Sequence, residues 1–187
     1  MKALIIIVIF GYKHPKPIYN FIMADDRWSK FKVTADVDTD VRSMYEAWAT
    51  PEGLETWFLR KADFFAIAGR QREPQEFIKK EDTYTWYWHG YDDTTIESGQ
   101  VLEANGVDVV KFTFTGGTVV SVSITCKLGI VIVELLQENI PEEADPEKNL
   151  YVQCQLGWTF YLANLKSVLE GGKDLRNKRK DLFSSFK

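Results

Sequence analysis

The sequence predicts an α+β fold: a curved antiparallel sheet of seven strands, with two short helices and a long C-terminal helix lying across it. Three observations carry that expectation. Residues 60–137 hold six successive segments rich in β-branched and aromatic residues, divided by glycine- and asparagine-containing turns. Residues 145–172 read as one long amphipathic helix with its own start and stop signals. The chain has 187 residues, a length one core can serve, since chains split into domains beyond roughly 250–300 residues.

Residues 1–22 do not match the rest. Ala3 to Phe10 is a continuous apolar run, ALIIIVIF, followed by Lys13, Pro15, Lys16 and Pro17. A membrane-spanning helix needs about 20 apolar residues, so the run is too short to span. It has the length of a secretory h-region, but lysines stand where a small-residue cleavage site belongs. Met23 then opens MADDRWSKFKVTADV, which reads as a domain start. The expected organisation is an N-terminal extension over 1–22 with Met23 as initiator, one domain over 23–178, and a tail over 179–187.

Between Trp28 and Val37 polar and apolar residues roughly alternate, the mark of a half-buried strand. Thr39 or Asp40 can cap a short helix that sets Val41, Met44, Tyr45 and Trp48 on one face. Thr50-Pro51-Glu52 starts a second short helix, because Thr caps and Pro suits a first position whose N–H is not needed. It runs to Trp57 or Phe58.

Six strands are expected next: Arg60–Ala68, Asp82–His89, Glu97–Glu103, Val107–Thr115, Val119–Lys127 and Ile130–Gln137. Asn105-Gly106 and Gly116-Gly117 read as two-residue hairpin turns, since both residue types tolerate positive φ. Gly69, the Gly90–Asp93 cluster and Gly129 mark the other turns. Tyr84, Trp86 and Trp88 form a wholly aromatic strand face, which register alone cannot assign to core or solvent. The last helix starts at Asp145-Pro146-Glu147 and stops at Gly171-Gly172. Tyr151, Cys154, Trp158, Tyr161, Leu165 and Val168, widened by Leu162 and Leu169, make its apolar stripe. About 25 residues at ~1.5 Å each give a rod of roughly 37 Å. Gly157 in its middle weakens the helix and suggests a close approach to another element.

Composition narrows function. A net charge of −4 excludes a general nucleic-acid binder, which needs a basic face. The basic cluster Lys173, Arg176, Lys178, Arg179 and Lys180 reads as a solvated tail. Cys126 and Cys154 lack paired spacing and read as buried reduced thiols, consistent with a cytoplasmic protein.

Three segments carry a family resemblance. Met44–Phe58 (MYEAWATPEGLETWF), Tyr84–Gly90 (YTWYWHG) and Gly157–Lys166 (GWTFYLANLK) closely resemble proteins similar to the activator of heat shock protein 90 ATPase. That family belongs to the SRPBCC (START-like) superfamily, which includes polyketide cyclases and relatives of the birch-pollen allergen. The resemblance covers about residues 28–178. It implies the helix-grip fold, an apolar internal cavity and, from the eukaryotic namesake, a possible chaperone partner. The namesake's separate chaperone-contacting domain has no room in these 187 residues. Fold does not fix function.

The residues themselves supply no catalytic or metal signature. There are two His; His14 lies in the extension and His89 ends an aromatic strand, as a turn contact or else a ligand contact. No zinc spacing, G-x-S-x-G motif or phosphate-cradling loop occurs, so no catalytic residue, metal site or cofactor is assigned. The acidic stretch Glu138–Glu147 lacks a calcium-loop pattern and reads as a solvated loop before the helix. Asp63, Glu97 and Glu134 lie on strands, and any that faces inward is a candidate polar cavity group. The remaining lead is aromatic: Trp57, Phe64, Trp86, Trp88, Phe112, Phe114, Trp158 and Tyr161. These either pack a core or wall a cavity for a small hydrophobic molecule. Binding of such a molecule is the first expectation, a co-chaperone-like interaction domain the second, and a cyclase- or hydrolase-like enzyme the third.

Overall fold

A computed structural model describes residues 28–145 and 147–179. The expectations for the N-terminal extension, His14, Met23, Pro146 and Lys180 onward fall outside the described residues. The elements run β1 (Phe31–Val37), α1 (Val41–Ala49), α2 (Pro51–Trp57), β2 (Lys61–Phe65), β3 (Thr83–Tyr87), β4 (Ile96–Ala104), β5 (Val109–Phe114), β6 (Thr118–Lys127), β7 (Ile130–Glu138) and α3 (Leu150–Leu169). The strands form one antiparallel sheet in the order β1-β7-β6-β5-β4-β3-β2. The first strand therefore pairs with the last, Phe31 opposite Gln137, while α1 and α2 carry the chain to the far edge.

Local chemistry explains each helix start. Asp40 Oδ1 accepts the Ser43 N–H at 2.9 Å, and Thr50 Oγ1 accepts the Gly53 N–H at 2.9 Å with Pro51 in the first turn. The two helices pack so closely that a Cβ on Gly53 would lie 2.1 Å from the Glu46 carbonyl oxygen. Trp57 locks the pair by donating Nε1–H to the Ala47 carbonyl at 2.9 Å.

The sheet bends where its register slips between β4 and β5 at Val101–Glu103. Gly99 on β4 leaves room for the Tyr84 phenol to cross and reach the Thr113 carbonyl at 2.5 Å. A Cβ at Gly99 would meet that phenol oxygen at 2.5 Å. The face carrying Tyr84 and Trp86 is buried, which answers the orientation that the sequence left open. Residues 66–82 form a long connection between β2 and β3. They are pinned by a buried bidentate pair, Arg72 to Asp82, with both bonds at 2.8 Å.

The structure departs from expectation at several turns and ends. Asn105-Gly106 opens a four-residue loop, because Asn105 Oδ1 accepts the amides of Val107, Asp108 and Val109. Gly116 and Gly117, both at positive φ, sit in a three-residue 3-10 turn over Thr115–Gly117. The two-residue hairpin lies instead at Leu128-Gly129, with φ of 52° and 82° and Lys127 paired to Ile130. Asp145 does not cap the long helix. Its carboxylate closes a local turn on the Glu147 N–H, and Asn149 Oδ1 caps by accepting from Val152. The helix is 20 residues long, about 30 Å at ~1.5 Å per residue. It ends as expected at Gly171, φ 76°. Cys154 is half-buried, and Cys126, expected to be buried, is exposed on β6.

Arg176 is the largest correction to the expected tail. Its guanidinium is buried against the end of α2 and donates to the carbonyls of Glu55 (3.0 Å), Leu59 (2.9 Å) and Thr56 (2.6 Å). These are the acceptors a helix leaves without partners at its C-terminus. Asn164, fully buried on α3, donates to the Trp57 carbonyl at 2.6 Å and accepts the Leu175 N–H at 2.6 Å. Segment 173–179 is thereby stitched to both helices.

Candidate functional site

Helix α3 runs along β1 and against α2, and seats Trp158, Leu162 and Leu165 in the core. On one side of that buried line the helix stands off. There Leu150, Cys154, Gly157, Trp158 and Tyr161 face Trp88 beyond β3, Glu97 on β4, Phe114 on β5 and Thr115 after it. Phe58, at the end of α2, closes one end. The cleft measures about 240 Å³ and opens to solvent.

Its walls are aromatic. Phe58 is the hub, with its ring 4.7 Å from Tyr161, 5.0 Å from Trp158 and 5.3 Å from Trp88. Phe114 approaches Trp158 at 5.3 Å from the sheet side. A buried polar relay fixes the floor. Trp158 donates Nε1–H to Gln137 Oε1 at 2.8 Å, and Gln137 donates Nε2–H to Thr118 Oγ1 at 2.9 Å. Thr118 in turn donates to the Thr115 carbonyl at 3.0 Å. Gly157 was expected to admit a neighbouring element, but no atom lies within 4 Å of where its Cβ would stand. The missing side chain opens the cleft.

Few ionisable groups face this space. Burial pushes the Glu97 carboxyl above its ordinary value, opposed by a hydrogen bond from Thr115. Burial also raises the Cys154 thiol and the Tyr161 phenol. Of the three strand carboxylates singled out by the sequence, only Glu97 lines the cleft. Asp63 is held by Lys61 and by the Gln71 amide at 2.7 Å, and Glu134 pairs with Lys32 on the surface. His89 is not on the lining. Burial and the nearby Arg176 hold its imidazole below the usual range. Among the described residues, no group of three or more His, Cys, Asp or Glu side chains is arranged to hold a metal ion, and no helix is long and apolar enough to cross a membrane.

The eight aromatic candidates divide into two sets. Trp88, Phe114, Trp158 and Tyr161 line the cleft. Trp57, Phe64, Trp86 and Phe112 are packed in the core behind it, with Trp86 stacked on Tyr84 at 4.0 Å and edge-on to Phe112 at 5.2 Å. Phe58, not among the residues expected from the sequence, lines the cleft, and its neighbour Trp57 does not. The two rings are stacked at 5.2 Å, with Phe58 on the cleft and Trp57 buried behind it. A larger groove of about 510 Å³ lies along α1 and α2, but Arg42, Ser43, Glu46, Thr50 and Glu52 line it. Arg42 and Glu46 pair there at 2.5 Å, so it is a polar surface hollow.

No family model and no curated protein matches the sequence. Solved structures do match in fold. The solution structure of the Aha1 dimer from Colwellia psychrerythraea aligns with TM-score 0.59 and 18% identity, over 77% of this chain and 98% of that one. A crystal structure of a Staphylococcus saprophyticus protein aligns with TM-score 0.60 and 17% identity, over 79% and 96%. A crystal structure of an HSP90 activator from Plasmodium falciparum aligns with TM-score 0.54 and 15% identity, over 75% and 96%. The chain therefore has the helix-grip fold that its three motifs imply, shared with Aha1-like proteins. At such identities the likeness speaks to fold alone.

Proposed function

We propose that this protein binds a small apolar molecule in the cleft between α3 and the sheet. The gap at Gly157 carries the reading: a helix position without a side chain faces aromatic walls instead of a packed neighbour. Ligand sites are concave and mainly apolar, with a few convergent polar groups, and Glu97, Thr115, Gln153 and Cys154 supply those groups here. A molecule of about ten heavy atoms at roughly 0.4–0.5 kcal/mol per atom binds with about −4 to −5 kcal/mol. That corresponds to a Kd near ~0.2–1 mM. Titration of the tryptophan fluorescence with apolar compounds tests the reading. Saturable quenching supports it, and its absence across a broad set refutes it.

One observation favours a second reading, an interaction domain. From Leu150 to Leu165 the helix carries no charged residue, and Val152, Leu156 and Phe160 form an exposed apolar row. Such a row is a usual mark of a contact surface, and two of the aligned structures are an HSP90 activator and an Aha1 dimer. The row lies on α3 and not on α1 and α2, whose outer groove is polar. Pull-down with the chaperone, repeated with Leu156→Glu, separates the two readings. Retention that the substitution abolishes supports this one, and absence of retention removes it.

A further inference from the structure

Glu97 gives the cleft a chemical preference. It is the one carboxylate among eleven lining residues, and no Lys, Arg or His is among them. Arg60 reaches the carbonyl of the lining residue Trp88 at 3.2 Å but is not itself on the lining, and its guanidinium pairs with Asp93. None of the ion pairs among the described residues includes Glu97, and its hydrogen bond is with the Thr115 hydroxyl. The amino end of α3 would favour an anion, but Asn149 already engages its amides. Val152 donates to Asn149 Oδ1 at 3.2 Å and Gln153 to its carbonyl at 3.1 Å. The same cleft is lined by Phe58, Trp88, Phe114, Trp158 and Tyr161, and aromatic ring faces attract cations.

We infer that the ligand is an amphiphilic amine, its ammonium paired with Glu97 and its apolar body held among the aromatic rings. The inference rests on the apolar-ligand reading above and deepens it. A cation supplies the counter-charge that the lining lacks, and the raised proton affinity of Glu97 is what burial without such a partner produces. A half-buried carboxylate facing apolar walls is costly unless it is paired.

Three compounds of one skeleton test it: 4-phenylbutylamine, 4-phenylbutanol and 4-phenylbutyrate, each titrated into the full chain and into Glu97→Gln with tryptophan fluorescence as readout. The expected order is amine, alcohol, acid, with the amine at least tenfold tighter than the alcohol. In Glu97→Gln the amine falls to the alcohol's level while the alcohol is unchanged. An amine that binds no better than the alcohol, or an amine preference that survives Glu97→Gln, overturns the inference and leaves the apolar cleft standing. Failure of all three compounds overturns both. Circular dichroism unchanged from wild type, with a melting temperature no lower than wild type, identifies any loss in Glu97→Gln as local.

Discussion

Replacing Gly157 by Ala stabilises this protein, whereas the same replacement at Gly53 destabilises it. Both glycines lie inside helices, so helix propensity alone forecasts a gain of up to ~1 kcal/mol at each. Packing separates them. At Gly157 the new methyl meets nothing within 4 Å, so the whole gain of about 0.5–1 kcal/mol is realised. At Gly53 it would stand 2.1 Å from the Glu46 carbonyl oxygen and 2.8 Å from the Ala47 Cα. Both belong to α1, so the two helices must move apart. Overpacking of this kind costs roughly 1–3 kcal/mol, and a backbone clash belongs at the upper end. The net loss is about 1–2 kcal/mol after the propensity gain. Urea denaturation with a common m-value measures both changes. Gly157→Ala should also raise the melting temperature by roughly 2–4 °C per kcal/mol for a chain of this size. A Gly157→Ala protein destabilised by 1 kcal/mol or more would mean that α3 packs closely at that point, and the open cleft would be lost with it.

Arg176→Ala leaves the carbonyls of Glu55, Thr56 and Leu59 without their donor and should cost about 2–4 kcal/mol in urea denaturation; a change under 0.5 kcal/mol would return the segment to the status of a solvated tail. Asp174 titrates in the same cluster. Burial draws its pKa up, but hydrogen bonds from Arg176 and Lys178 outweigh that and hold it below the ordinary value. A lowered folded pKa stabilises above the unfolded value and is lost as pH falls through the folded one, so the penalty of Asp174→Asn should be complete at neutral pH and shrink below about pH 4. Glu97 has the opposite sign. Its raised folded pKa means that stability declines as pH rises from the unfolded value through the folded one, so Glu97→Gln should be more stable than wild type at pH 7 and indistinguishable near pH 3. Melting temperatures across that range decide it, and a destabilised Glu97→Gln at pH 7 would contradict the assignment.

Much of the fold was legible because local chemistry and tertiary packing agree. Thr50-Pro51 starts α2 and Gly171 stops α3 where their caps and backbone angles require. The strand segments fall within a few residues of their expected ends because turn residues bracket them. What failed to show was set by distant partners. Asp145 and Asn149 are both good caps, and the choice fell to Asn149 once Asp145 had closed a turn on Glu147. Arg176 looked like one base in a basic tail because its acceptors lie over 110 residues earlier in the chain. In the site, aromatic content marked the region, yet periodicity could not separate Trp88 and Phe114 on the cleft from Trp86 and Phe112 behind it. Gly157 was read as a close approach because a helical glycine fits either a tight contact or a gap, and only the neighbouring elements distinguish the two.

The most direct test is a two-dimensional NMR titration of the indole N–H signals with 4-phenylbutanol, on wild type and on Gly157→Leu, whose isobutyl group projects into the cleft. The account predicts saturable shifts at Trp158 and Trp88 in wild type. Trp48, buried among α1, α2 and the core, should stay silent. It also predicts loss of those shifts in a Gly157→Leu protein that keeps its fold. Equal binding by the two proteins, or saturable shifts confined to indoles away from α3, would contradict it.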